Sequence, residues 1–255
     1  MTRSSKPSTK PSPQPSSAKP VTKPATWAGE GTAEGAGRRG PRRTGKANAA
    51  LPPLSRERIL EAALQLVADE GVAGLSLRKL AERLHCEAMS LYHHIPSKQH
   101  LFDALVDRAV DSVTDPPQDL QPLDRLRHIV AAYREMAQRH AALFPLIAVH
   151  RLNTPAGVRF IERVLRAVFD VVRDEEKAAR HFRALGYYMM GAGLDETAGY
   201  AKGPTAAEPV DDAYIEAHCP HLAAAARFFE RGEWDRTFEV GIEALLQAMV
   251  RDAAP

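Results

Sequence analysis

From Ser55 onward the chain repeats one pattern: apolar residues return every three or four positions. Ile59, Ala62, Ala63, Leu66 and Val67 form the first such stripe, which is the spacing of one face of an α-helix. Ser55 supplies an N-cap oxygen, Glu57 suits the positive end of the dipole, and Gly71 ends the helix ahead of a short loop through Gly74. Ser76 caps a second helix with Leu77, Leu80, Ala81 and Leu84 as its stripe. A three-residue break, His85-Cys86-Glu87, precedes a short third helix from Ala88 to His94. Pro96 stops that helix by disfavouring helical geometry in the residue before it. Ser97 opens a fourth, with Leu101, Phe102, Leu105, Val106, Ala109 and Val110 facing inward.

Asp115 to Pro122 reads as a linker. Beyond it the helical spacing resumes with Leu126, Ile129, Val130 and Tyr133, then a short apolar segment from Leu143 to His150. Thr154 and Pro155 are an N-cap and a first-turn proline for a helix carrying Val158, Ile161, Val164, Leu165, Val168 and Val172. Asp174 caps another that reaches about Tyr200, and Gly203 to Pro209 is a loop. Asp235 caps the last, with Phe238, Ile242, Leu245, Leu246 and Met249 inside. No strand-like alternation is present, so the fold class is all-α.

Residues 1–54 break the pattern. They hold nine of the 19 prolines, with Ser, Lys and Gly, and one aromatic, Trp27. Such a segment cannot bury enough apolar surface to offset its ordering entropy, so a disordered tail is expected. The charge divides at the same place. The whole chain is +2, but the tail carries ten Lys+Arg against two Glu. Residues 55–102 balance at six and six, and 103–255 are acidic by six. The expected organisation is therefore a basic tail (1–54), a first helical domain of balanced charge (55–102) and a second, acidic helical domain (103–255). Arg38, Arg39, Arg42, Arg43 and Lys46 are the densest basic stretch. They suit a DNA backbone or an adjacent minor groove; a merely solvated tail is the alternative.

Several classes drop out. No run approaches the roughly 18 apolar residues of a membrane span, and no apolar leader follows the basic N-terminus. Two cysteines, Cys86 and Cys219, make no disulfide framework, which fits the cytoplasm. No nucleophile elbow, zinc-protease pair, P-loop or dinucleotide fingerprint is present, so no enzyme activity and no cofactor are expected. His218-Cys219-Pro220-His221 offers three potential zinc ligands without a recognised spacing or a fourth ligand, and reads as a loop cluster.

Residues 76–95 are the informative stretch. Helix, short turn, helix is the layout of a helix-turn-helix, whose second helix enters the DNA major groove. Leu77, Leu80, Leu84, Cys86, Leu91 and Ile95 take the inward positions. Ala88, Met89, Ser90, Tyr92, His93 and His94 are left toward the groove. Ser90, Tyr92 and His94 can donate to phosphate oxygens, Ala88 and Met89 can touch thymine methyls, and His93 can read a purine edge. Ser76, Arg78 and Lys98 are further phosphate contacts. A plain polar helix face is the alternative on spacing alone.

Gly71 to Leu105 resembles the DNA-binding domain of the TetR (tetracycline-repressor) family. The Leu91-Tyr92-His93-His94-Ile95-Pro96-Ser97-Lys98 run is the most specific part. Two departures are visible: His85 stands where the family usually has Gly, and Cys86 where an aliphatic is usual. Gly186-Tyr-Tyr-Met-Met-Gly-Ala-Gly-Leu-Asp195-Glu196 is similar to the dimer-forming helix of the family's tetracycline-repressor branch, and Phe238 to Leu246 to that branch's terminal helix. The resemblance implies a homodimeric regulator, usually a repressor, that binds a palindromic operator and is released by a small molecule. It implies a ligand pocket among the effector helices, for which Phe102, Tyr133, Met136, Phe144, Phe160, Tyr188 and Met189 are candidates. Such residues equally serve as plain core. His150 and Asp195 resemble positions that bind a metal–drug complex in the tetracycline repressor, but the Arg expected before Pro155 is absent. For the dimer face the candidates are Gly186, Ala192, Gly193, Ala198, Ile242, Leu245, Leu246 and Met249. An architectural DNA binder driven by the tail, or a helical enzyme, is the competing class.

Overall fold

The computed structural model describes residues 53–198 and 206–253. Arg38, Arg39, Arg42, Arg43 and Lys46 lie outside the described residues, as do Tyr200 and part of the expected 203–209 loop. Among the described residues all regular structure is helical: α1 (Arg56–Gly74), α2 (Leu77–Leu84), α3 (Ala88–Tyr92), α4 (Lys98–Asp111), α5 (Pro122–Arg139), α6 (Phe144–Val149), α7 (Pro155–Val172), α8 (Glu175–Ala198), α9 (Asp212–His218), α10 (Pro220–Ala225) and α11 (Trp234–Ala253). None of these helices is long and apolar enough to cross a membrane.

The helix starts follow from local chemistry. Side-chain oxygens of Ser55, Ser76 and Thr154 accept from the backbone N–H three residues on, at 3.2, 3.2 and 3.0 Å. Ser97 and Asp174 do the same for His100 and Lys177. Each satisfies a donor that the helix itself cannot pair. Gly71 takes φ +72°, so helical geometry breaks there as expected, and a further turn continues over 72–74. α3 ends at Tyr92, two residues earlier than the spacing predicts. His94 and Ile95 instead direct their N–H groups to Leu91 O in a tight turn before Pro96.

Asp235 does not cap α11. The helix begins one residue earlier, at Trp234, continuing directly from a 3-10 turn over Arg231–Glu233. Asp235 is thus already inside the first turn, where it accepts from Arg134 Nη1 at 2.8 Å. Two short helices that the apolar pattern did not mark, α9 and α10, occupy 212–225. Asp211 caps α9 by accepting from Tyr214 N–H at 2.8 Å, and Pro220 opens α10.

Two hydrophobic cores position everything else. The first joins α1, α2, α3 and α4 and runs on into α5 and α6 through Met136, Leu143, Phe144 and Ile147. The second gathers α5, α7, α8 and α11 around Leu126, Val168, Leu185, Leu246 and Met249. Tyr133 and Phe160 pack against both. Two glycines set the closest helix approaches. A Cβ on Gly193 would sit 2.4 Å from the Phe144 ring, and one on Gly241 would sit 2.3 Å from the Tyr188 ring. A half-buried Arg134 fastens α5 to α8 and α11, through a two-pronged bond to Glu196 and contact with the Phe238 face at 4.3 Å. Burial works against its charge, but Glu196 and Asp235 outweigh that and hold its pKa above the ordinary value.

Candidate nucleic-acid interface and effector cavity

The turn between α2 and α3 fixes the interface. His85 sits in left-handed geometry, φ 53° and ψ 44°. Its N–H reaches Glu82 O at 3.2 Å, and the Cys86 N–H reaches back to Ala81 O at 3.1 Å. This paired closure is the Schellman pattern, normally built on glycine. Here a histidine adopts it, at a cost of about 1–2 kcal/mol for the crowded Cβ. Leu80, Leu84, Leu91 and Ile95 are buried, and Leu77 and Cys86 pack against them.

The opposite face is open. Met89 is 67% exposed and Tyr92 43%. His93, His94 and Lys98 are exposed, Ser90 is half-buried, and Ala88 rests against the core. Ser76 is half-buried as the α2 cap, so its oxygen serves Lys79 N–H and its hydroxyl proton is the group left for a phosphate. The charges of α2 are more committed than spacing suggests. Lys79 pairs with Glu70, and Arg83 with Asp69 at 2.6 Å, both acids being on α1. Arg78 stays outermost, 86% exposed, and touches only Glu82 at 3.3 Å among these ion pairs. Lys98 lies 5.2 Å from the Phe102 ring centre.

A cavity of about 310 Å³ opens between α5, α7, α8 and the end of α6. Four of the nine expected ligand residues line it: Tyr133, His150, Phe160 and Met189. Tyr133 and Phe160 stack with centroids 5.9 Å apart and planes 23° apart. Burial pushes the Tyr133 phenol up to about 12, so it is a neutral group, and its hydroxyl makes no hydrogen bond among the described residues. Gly186, expected on the dimer face, also lines this cavity.

The other candidates fall elsewhere. Met136 and Phe144 are fully buried core. Phe102 is half-buried beneath Lys98. Tyr188 leans on Phe238 and donates to its carbonyl at 2.9 Å, in the α8–α11 seam. Asp195 is exposed on α8. The spacing missed Phe182, Arg183 and Met190, which line the cavity from α8. Phe182, Leu185 and Met189 lie at i, i+3 and i+7, a signal that was available.

His150 faces two ways. It lines the cavity, and its Nε2 lies 3.0 Å from Asp103 Oδ1 on α4. Nearby, Thr154 bonds Asp107, again on α4. Arg163, stacked on the cavity's Phe160, binds Val113 O and Asp115 just after α4. His150, Thr154 and Arg163 therefore hold α4 at Asp103 and Asp107 and the segment just after it at Val113 and Asp115. As for a metal, the described residues hold no group of three or more His, Cys, Asp or Glu side chains able to bind one. His218 packs on Tyr214 at 4.5 Å, and His221 lies in α10.

Of the expected dimer residues, Gly193, Ile242, Leu246 and Met249 are buried within this chain's own core. Ala192 and Leu245 are half-buried, and Ala198 is exposed. The same two helices also present Tyr187, 59% exposed, Val240, 73% exposed, and the open Gly191.

Known proteins share this arrangement. Residues 59–105 match the family of bacterial regulatory proteins, tetR family, and residues 115–251 match the tetracyclin repressor-like C-terminal domain. The tetracycline repressor protein class A from transposon 1721 of Escherichia coli is 29% identical over 203 residues, covering 76% of this chain and 89% of that protein. The transcriptional regulator SCO7222, a TetR from Streptomyces coelicolor, superposes with a TM-score of 0.62 at 28% identity, over 79% of this chain and 100% of that one. ActR from Streptomyces coelicolor, in complex with actinorhodin, has the same fold, with a TM-score of 0.64 at 22% identity over 80% of this chain and 100% of that one.

Proposed function

This chain belongs to the tetR family of bacterial regulatory proteins, and from that premise we propose that it is a homodimeric repressor released from its operator by a small molecule. The observation that carries the reading is the exposed surface of α3 and its C-cap, Met89, Tyr92 and His93, held by a hydrogen-bonded turn within the matched helix-turn-helix. One such helix covers too few base pairs to discriminate well. A two-fold dimer places two of them about 34–36 Å apart on one face of DNA. The partner meets the exposed residues of α8 and α11, while Gly193, Ile242, Leu246 and Met249 support those helices from within. Acting on DNA, the protein works in the cytoplasm, and the reading gives it no catalytic step.

The cavity supplies the release. Its volume suits a small ligand, its walls are apolar and aromatic, and its polar groups are the Tyr133 hydroxyl, His150 and Arg183. A ligand shifts the protein off DNA only if it binds the DNA-incompetent state more tightly. Through His150, Thr154 and Arg163, filling the cavity displaces α4, which leads directly back to the helix-turn-helix. A metal–drug complex is disfavoured as that ligand, because Asp195, the expected acidic partner of His150, is exposed on α8 and does not line the cavity.

Footprinting with the full chain tests the reading. A specific regulator protects one palindrome, and Tyr92→Ala with His93→Ala abolishes that protection. Binding without site preference would point instead to an architectural DNA binder.

A further inference from the structure

A second cavity lies away from the effector pocket, where nothing in the repressor reading places a ligand. It has a volume of about 440 Å³ and sits between one face of α1, the end of α4 and the corner joining α5 to α6. Leu64, Val67 and Leu143 give it an apolar floor. Ala141 and Ala142 at the corner leave the space unfilled.

Its polar lining is unbalanced. Arg108, Arg139 and His140 converge on it, and the single acid among the lining residues is Glu61. Glu61 is already engaged with Arg108 at 3.3 Å. Arg139 makes no ion pair among the described residues. The half-buried His140 ring senses this surplus: burial first, then the charges of Arg139 and Arg108, lower its pKa. Two guanidinium groups with one acid between them leave a surplus of positive charge over the cleft. Arg108 and Arg139 stand exposed at the rim of an apolar floor, an arrangement that suits a carboxylate on a short hydrocarbon body.

We propose that this cleft is a second binding site, and that it takes a small organic acid. The carboxylates meet Arg139 and Arg108, and the methylene body lies on Leu64 and Leu143. Because the cleft joins α1 to the α5–α6 corner, its occupant braces the DNA-binding helices against the effector helices. It is therefore an input separate from the cavity beside His150.

The probe is succinate, titrated into the full-length protein while the His140 ring is followed by NMR. Succinamide serves as the neutral analogue, and sodium chloride matches the ionic strength. Succinate is expected to shift the ring signal saturably and to raise the ring's pKa, because the bound anion cancels the repulsion. Arg139→Gln weakens this binding at least about tenfold, the worth of one charge-assisted hydrogen bond. Ala142→Phe, which fills the cleft, removes it while leaving Arg139 in place. Met189→Trp, which fills the other cavity, leaves it intact. The proposal is overturned if succinate gives no saturable shift, or if sodium chloride or succinamide gives the same one. It is equally overturned if Arg139→Gln and Ala142→Phe both bind as the parent does. None of these readouts involves DNA, so the result is independent of the repressor reading.

Discussion

His150 Nε2 and Asp103 Oδ1 stand 3.0 Å apart, joining the wall of the cavity between α5, α7 and α8 to α4, the helix that follows the helix-turn-helix. The histidine side chain is 11% exposed and the aspartate 34%, so the contact is partly shielded from water. In a urea-unfolding cycle, His150→Phe and Asp103→Asn should show a coupling of about 1 kcal/mol, the usual worth of such a bond. The same variants should retain operator binding but need more ligand to release it. Equal ligand sensitivity in variants and parent would remove this contact from the transmission route.

His85 is the local cost of the turn. Replacing it with glycine relieves the left-handed strain, offset in part by the greater freedom of glycine in the unfolded chain. His85→Gly should therefore stabilise the protein by about 1 kcal/mol. Thermal unfolding reads this as a rise of a few degrees. A fall would mean that the His85 ring makes a compensating contact.

Gly193 is held to glycine by a neighbour and not by its backbone. A Cβ there would lie 2.4 Å from the buried Phe144 ring. Gly193→Ala should cost about 1–3 kcal/mol as overpacking. Phe144→Leu in the same chain should recover part of the loss, which denaturant midpoints can measure.

Near neutral pH, His140 contributes to the pH dependence of stability. The pKa of His140 is lowered from 6.5 by burial, Arg139 and Arg108. The unfolded chain therefore takes up that proton more readily than the folded one. Stability from this group is present above about 6.5 and is lost as pH falls through the lowered folded value. His140→Gln should flatten the unfolding midpoint against pH across that window. An unchanged profile would assign the dependence to other groups.

DNA affinity should rest on few cations, because Lys79 and Arg83 are tied to α1. Removing residues 1–47 should flatten the salt dependence of operator binding, by about 0.9 in the log–log slope for each phosphate that the tail no longer neutralises. An unchanged slope would mean the tail stays in solvent. Glu82→Gln, which frees Arg78, should act in the opposite direction and tighten binding.

Helix starts were legible in the sequence because caps and apolar stripes act over three or four residues. Ser55, Ser76, Ser97, Thr154 and Asp174 each bond the backbone that follows, as their positions predict. The turn at His85 was legible for the same reason, and so was the inward set of the helix-turn-helix. The lining of the candidate ligand cavity was not. Tyr133, Phe144 and Tyr188 look alike as aromatics on helix faces, yet one lines the cavity, one is core and one fills the α8–α11 seam. Asp235 reads as a cap and serves Arg134 instead. Local spacing determines which side of a helix is apolar. Only the crossing of distant helices decides what that side meets, because side chains far apart in sequence must first share one volume before a cavity, an ion pair or a clash can exist.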